Sequence, residues 1–333
     1  MAIPQTLDIH AHILEQETMR TIRTEVPQVN FEFRPIDDEW AELHTNGAVY
    51  KPFPRGGWDV ERRLADMDRY GFGRQVVAVS PQTVLYEAAP EVCLAVSRIQ
   101  NDAIAARAKA TDRLLGLATV PMQAPEMAAE ELARAMGQGH VGAMIGTNIE
   151  GRNLDDPALE PFWAEAERLG AFLLLHPLKI AGVERMRSYW LQNLVGNPLD
   201  TTIAAASLVF GGVLERFPGL KVVLSHGGGF VPYQMARWQH GWEERAEPKA
   251  RLRGEPGPSL DRLLYDTILH EGPALQFLVD KVGAGRVMLG TDYPFDMGQY
   301  DLIEVIDGLR LTKAQREGLL HASAEALLPG GAR

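Results

Sequence analysis

Short apolar runs alternate with longer amphipathic segments along most of this chain. The strand candidates are Thr6–His12, Gln75–Ser80, Leu114–Val120, Val141–Thr147, Ala171–His176, Lys221–Ser225, Leu263–Ile268 and Val287–Gly290. Many are nearly continuous in apolar residues, as strands covered on both faces must be. Helical periodicity marks Val60–Tyr70, Pro90–Lys109, Pro125–Gly137, Pro157–Leu169, Leu199–Phe217, Val231–Trp242 and Pro273–Val282. Several of these begin with Pro, whose missing N–H costs nothing in a first helical turn. Eight strands alternating with helices predict an α/β fold, a (β/α)8 TIM barrel. Two segments interrupt the repeat: Ile13–Gly57 after the first strand and Ile180–Pro198 after the fifth. Both follow C-terminal strand ends, the catalytic side of such a barrel. Long loops there serve as lids or substrate-binding elements. With no internal repeat and no linker, residues 1–333 are expected to form one domain, with 13–57 as lid or substrate loop.

Composition narrows the function. A chain of 333 residues that is 46% hydrophobic can fill a barrel core. The net charge is −11, and the basic residues form no long run. Nucleic acid is thereby disfavoured as a partner, since phosphate binding needs clustered Lys and Arg. A small anionic substrate stays open, because a local basic pocket can exist inside an acidic surface. The single cysteine, Cys93, excludes an intrachain disulfide and reads as a small buried residue on a helix. Asp8, His10, His12 and Glu15 break any signal-peptide core, and no apolar run reaches membrane-spanning length. The expectation is a soluble cytoplasmic protein with no membrane partner.

The candidate chemistry lies at strand ends. In Asp8-Ile9-His10-Ala11-His12 the two imidazoles share one strand face, about 7 Å apart along the backbone. His176 ends the apolar run Ala171–Leu175 and precedes Pro177. His226 ends Lys221–Ser225 and precedes Gly227-Gly228-Gly229, which let the backbone turn sharply. Asp292 follows Val287–Thr291. In a closed barrel the ends of strands one, five, six and eight converge on one mouth. Imidazoles and a carboxylate suit one divalent metal, zinc first, with manganese or iron as alternatives. The fourth strand ends Met144-Ile145-Gly146-Thr147 without a lysine to bridge two metals, which favours one ion. The glycine run lacks the G-x-G-x-x-G spacing of a nucleotide site.

These pieces resemble the amidohydrolase superfamily, and within it the branch of 2-amino-3-carboxymuconate-6-semialdehyde decarboxylase. The resemblance runs through Asp8–His12, Trp58-Asp59, Val120–Pro125, His176-Pro177, Tyr189–Leu191, Thr201–Ala204, Ser225–Gly229 and Gly290–Phe295. It implies metal ligation by His10, His12, His176 and Asp292, with His226 as general base. It implies a homodimer in which Arg237 reaches the carboxylate of a small-molecule substrate in the neighbouring subunit. The branch's other substrate-binding arginine aligns with Lys51, with Arg55 nearby, and its active-site tryptophan is replaced by Asn193. Lysine is a point donor and not a planar fork, so recognition of the acid would differ.

The leading expectation is a metal-dependent, non-oxidative decarboxylase of an unsaturated or aromatic carboxylic acid. His226 would move the proton, and Lys51 and Arg237 would orient the acid. Trp190 and Phe295 would stack on a planar substrate. A hydrolase of an amide, lactone or similar bond uses the same residues, with Asp292 or His226 as proton shuttle, and a hydratase is a further alternative. A barrel that keeps a metal only for stability is a different class, and open strand-end ligands argue against it. Of the other histidines, His270 lies near the mouth. His44, His140, His240 and His321 read as structural or solvent-facing.

Overall fold

The computed structural model describes residues 4–45 and 47–329. The residues outside those ranges include both ends of the expected 1–333 domain and Asn46 of the insertion. All eight expected barrel strands form. In chain order they are β1 (Leu7–Ile13), then, after three strands of the first insertion, β5 (Arg74–Val79), β6 (Leu114–Ala118), β7 (Gly142–Gly146), β8 (Phe172–His176), β9 (Lys221–Leu224), β10 (Leu264–Asp266) and β11 (Val287–Met288). They pair in parallel in that order. The sheet closes on itself where Ile9 N donates to Leu289 O at 2.8 Å and Asp292 N donates to His10 O at 2.8 Å. This is the (β/α)8 barrel.

Burial explains the apolar runs. Phe172, Leu173, Leu174 and Leu175 in β8 and Val222, Val223 and Leu224 in β9 are essentially inaccessible. Each fully buried side chain of this kind contributes about 1.5–3 kcal/mol. The helices Val60–Tyr70 and Pro125–Gly137 run over the spans the periodicity predicts. Asp59 caps the first by accepting from Arg62 N, and left-handed Gly71 ends it.

The first insertion is more ordered than a polar loop. It holds a helix, Gln16–Glu25, and an antiparallel sheet of β2 (Phe31–Pro35), β3 (Trp40–Thr45) and β4 (Ala48–Pro54). Ala41, Leu43 and Thr45 alternate inward along β3. Phe53 of β4 packs near Trp58 and Phe295, at the C-terminal end of the barrel. The second insertion carries short helical turns at Val183–Arg185 and Gln192–Gly196. Buried Asp200 ties it to β7, accepting from Ala181 N at 3.0 Å, Asn148 Nδ2 at 2.8 Å and Thr147 Oγ1. Among the described residues, no helix is long and apolar enough to cross a membrane.

Candidate metal centre and substrate cavity

The strand-end residues meet in space. One donor atom each from His10, His176, His226 and Asp292 lies within 4.8 Å of all the others. His12 joins them, its Nε2 being 3.2 Å from His10 Nε2 and 3.0 Å from Asp292 Oδ1. His226 Nε2 stands 3.6 Å from Asp292 Oδ2. Five side chains separated by up to 282 positions thus surround one point at the barrel mouth.

Their outer hydrogen bonds decide which way the lone pairs face. His10 Nδ1 donates to Asp266 Oδ2 at 2.8 Å, His12 Nδ1 to Val79 O at 3.0 Å and His176 Nδ1 to Pro177 O at 2.9 Å. A carbonyl or carboxylate oxygen only accepts, so each Nδ1 carries the proton and each Nε2 of a neutral ring is a bare acceptor. Three acceptors therefore point at one another and at the Asp292 carboxylate. His176 Nε2 and Asp292 Oδ1 are buried and find no hydrogen-bond partner among the described residues. Such a cluster is repulsive by itself, and a cation at its centre satisfies every member. The donor set, neutral nitrogens with one carboxylate, fits zinc or manganese.

The local field agrees. Burial, reinforced by the neighbouring imidazoles, holds His176 well below the ordinary histidine range. Burial likewise lowers His12, against the pull of Asp292. His10 is also driven down by burial, but Asp266, Asp292 and Asp8 together outweigh it and raise its affinity for a positive charge. Burial opposes ionisation of Asp292, yet the contacts from His12, His226 and His10 hold its carboxyl well below the usual range.

Backbone strain marks the same place. His226 and Asp292 sit at φ 55° and 59°, in the left-handed region that costs a non-glycine residue roughly 1 kcal/mol or more. The glycines after His226 are needed as they stand. A Cβ on Gly229, at φ 59°, would lie 2.2 Å from Pro198 O. Asp266 fastens this turn from below, accepting from His226 N at 2.9 Å and Gly227 N at 2.7 Å. Asp8 does not face the centre. It clamps the barrel seam, accepting from Gln75 Nε2 at 2.9 Å, Thr291 Oγ1 at 2.6 Å and His10 N at 3.0 Å, and burial pushes its carboxyl up to about 6.

A cavity of about 720 Å³ opens above the centre, with His176, His226 and Asp292 in its floor. Trp190 and Phe295 line it, together with Tyr50 from β4 and Leu85 from the loop after β5. Phe295 also packs on the His12 ring at 5.1 Å. The other expected substrate contacts stand elsewhere. Lys51 is on the outer side of β4 and pairs with Glu42 at 3.1 Å. Arg55 pairs with Asp59 at 2.7 Å. Arg237 projects from an exposed position of the helix Val231–Glu244, and neither it nor the two preceding residues lines the cavity. His270 is fixed by its backbone N–H on Gln299 and is also absent from the lining. His44 and His321 bind Glu42 and Glu325, His240 is exposed, and His140 is buried away from the site.

Three residues near the centre escape a reading based on strand ends. Asp266 was visible only as a charge inside the apolar run Leu263–Ile268, where burial demands a partner. Arg63 is fully buried beneath the site, donating to Gln75 Oε1 at 2.9 Å and to His12 O, with its guanidinium 4.8 Å from the Tyr293 ring centre. Its place in an amphipathic helix gave no sign of this. Tyr50 lay hidden in the insertion.

Comparison with known proteins places the chain. The amidohydrolase family profile matches residues 7–330. The chain is 35% identical over 288 residues to 2-amino-3-carboxymuconate-6-semialdehyde decarboxylase of Dictyostelium discoideum, covering 85% of this chain and 80% of that protein. In structure it is similar to 5-carboxyvanillate decarboxylase from Sphingomonas paucimobilis, with a TM-score of 0.82 at 22% identity over 98% of this chain and 99% of the other. It is also similar to dihydroxybenzoic acid decarboxylase from a Polaromonas species, solved with bound manganese and the inhibitor 2-nitroresorcinol. There the TM-score is 0.79 at 22% identity, covering 97% of this chain and 96% of the other.

Proposed function

This chain belongs to the amidohydrolase family, and from that premise we propose that it is a metal-dependent, non-oxidative decarboxylase of an unsaturated or aromatic carboxylic acid. The observation that carries the proposal is the set of inward-facing acceptors from His10, His12, His176 and Asp292 at the floor of an aromatic-lined cavity. Those four residues would hold one divalent ion, zinc in our reading, with manganese as the alternative that the Polaromonas relative supports. When bound, the ion would supply positive charge to polarise the substrate and stabilise the electron pair left when CO2 departs.

The protein's own groups do the rest. Trp190 and Phe295, which both line the cavity, stack on a planar acid. His226 faces the cavity floor beside Asp292 and delivers the proton to the carbon that keeps the electron pair as its bond to the carboxylate breaks. Asp292 keeps the His226 ring turned toward the reacting carbon. The β2–β4 sheet and the loop after β8 wall the substrate as a lid. Arg237 lies on an exposed helix face with no partner among the described residues of its own chain, which is what a residue supplied to a neighbouring subunit of a homodimer requires. Lys51 or Arg55 would assist only by leaving its present carboxylate partner.

The test is a panel of aromatic and unsaturated acids incubated with metal-loaded protein while CO2 is measured. Metal-dependent CO2 release from a panel member is the expected result. Release of an amine or a ring-opened acid instead would assign hydrolysis.

A further inference from the structure

The cavity changes character away from its floor. The floor carries the His/Asp centre with the Phe295 ring beside it, a surface suited to the reacting end of a planar acid. Beyond it the wall comes from loops past the strand ends, including the turn Pro81–Thr83 after β5 and the helical stretch that starts at Gln192 after β8. Formal charge cancels in this part. With Asp292 left to the centre, the charged lining is Lys179 and Arg187 against Glu87 and Asp296. Lys179 is moreover engaged, 2.9 Å from Glu150 and 3.3 Å from Glu87. What the wall offers in place of net charge is neutral amide. Asn193 and Asn197 stand four apart in one helical stretch, so they face the same way, and both line the cavity. Neither side chain makes a hydrogen bond among the described residues. Gln82 lines the cavity from the loop after β5. Its Oε1 accepts the Ser80 hydroxyl at 2.5 Å, and its Nε2 has no partner among the described residues. All three side chains belong to half-buried residues.

A cavity of about 720 Å³ is of the size that encloses a drug-sized ligand, larger than a single ring. A carboxamide carries two N–H donors and a carbonyl acceptor in one plane, the complement of another amide. We propose that Asn193 and Asn197 recognise a neutral amide-type substituent on the side of the substrate away from the reacting carboxylate, so that the enzyme acts on acids extended by a group with both N–H and C=O. The two side chains donate to its carbonyl and accept its N–H, and Gln82 Nε2 supplies a further donor. The balanced charge around them favours neither an anion nor a cation at this position. An apolar extension of the same shape is disfavoured, because it strips water from the amides and returns no hydrogen bond. Asn193 and Asn197 are thereby specificity-determining residues. This inference rests on the decarboxylase reading above for the position of the reacting group.

Binding reads this without turnover. The probes are 3- and 4-acetamidobenzoate against 3- and 4-isobutylbenzoate, which keep the shape and replace the amide with carbon. Each is titrated calorimetrically into the manganese-loaded full chain. At one ring position or both, the acetamido acid is expected to bind about tenfold more tightly than its isobutyl counterpart, the factor that one or two hydrogen bonds support. Asn193→Leu combined with Asn197→Leu should remove that preference and bind the isobutyl acid at least as tightly as the parent does, and Asn193→Gln alone should retain part of it. Matching circular dichroism and melting temperature establish that the variants are folded. Equal or tighter binding of the isobutyl acids, no binding of any probe, or a preference that survives the double substitution overturns the assignment. The decarboxylase reading fails separately, if the acid panel above yields no CO2.

Discussion

Asp266 Oδ2 accepts the Nδ1 proton of His10 at 2.8 Å, and the same oxygen accepts the backbone N–H of His226 at 2.9 Å. One buried carboxylate therefore fixes a proposed metal ligand and the proposed proton donor together. It also determines that His10 offers Nε2 to the centre. Asp266→Asn keeps the shape but no longer compels His10 Nδ1 to be the protonated nitrogen. We expect a loss of about 10–100-fold in metal affinity or turnover, the usual cost of removing a carboxylate behind a ligating histidine. Metal content after gel filtration, measured alongside kcat, checks this. Unchanged values for both would show that Asp266 only builds the loop.

Removing the metal should abolish turnover, and manganese or zinc should restore it. Stability should move as well, because relief of the facing acceptors of His12, His176 and Asp292 occurs only in the folded protein. At a metal concentration one hundred times Kd the gain is about 2.7 kcal/mol. Melting curves with and without metal read it directly. A melting temperature indifferent to every divalent ion tried would remove the basis for the site.

His226→Ala should keep metal and lose turnover by about 100–10,000-fold, the range for a general acid or base. The side chain is partly exposed in the cavity floor, and among the described residues its ring is tied only to Asp292, at 3.6 Å, so the fold should survive. Stopped turnover with the metal content intact distinguishes proton transfer from ligation. Loss of the metal itself would make His226 a ligand.

His140 offers a pH test away from the centre. Burial lowers its pKa from 6.5 to about 4, against a smaller upward pull from the Nδ1 bond to Ala135 O. The unfolded chain therefore takes up a proton between pH 6.5 and 4 that the folded chain refuses. Stability from this residue is complete above pH 6.5 and is lost as pH falls toward 4, by roughly 3 kcal/mol. His140→Asn retains a donor for Ala135 O and removes the titration. Urea unfolding at pH 7 and pH 4.5 should show a smaller acid loss in the variant than in the parent. Equal losses would mean that His140 is protonated in the folded state.

Much of this molecule was legible before any coordinates, for reasons of period and burial. A strand covered on both faces must be apolar throughout, so β8 and β9 announced themselves, and a polar residue ending such a run has to face the barrel mouth. His10, His12, His176, His226 and Asp292 were found in that way. The insertion was harder to read. Its inward residues Ala41, Leu43 and Thr45 alternate with polar ones, and the small sheet they form packs at a single edge of the core, a weaker pattern than a barrel strand.

Tertiary structure alone decided what those five residues face and what supports them. That each Nδ1 is committed to Asp266, Val79 or Pro177 depends on contacts between distant strands, so the direction of the lone pairs was invisible in the chain. The same holds for the cations. Local sequence shows that Lys51, Arg55 and Arg187 carry charge, but only the folded chain brings Glu42 to the first and Asp59 to the second and leaves the third, at the cavity wall, without a partner among the described residues. Period and polarity are properties of neighbours along the backbone. The pairing of a charge is a property of neighbours in space.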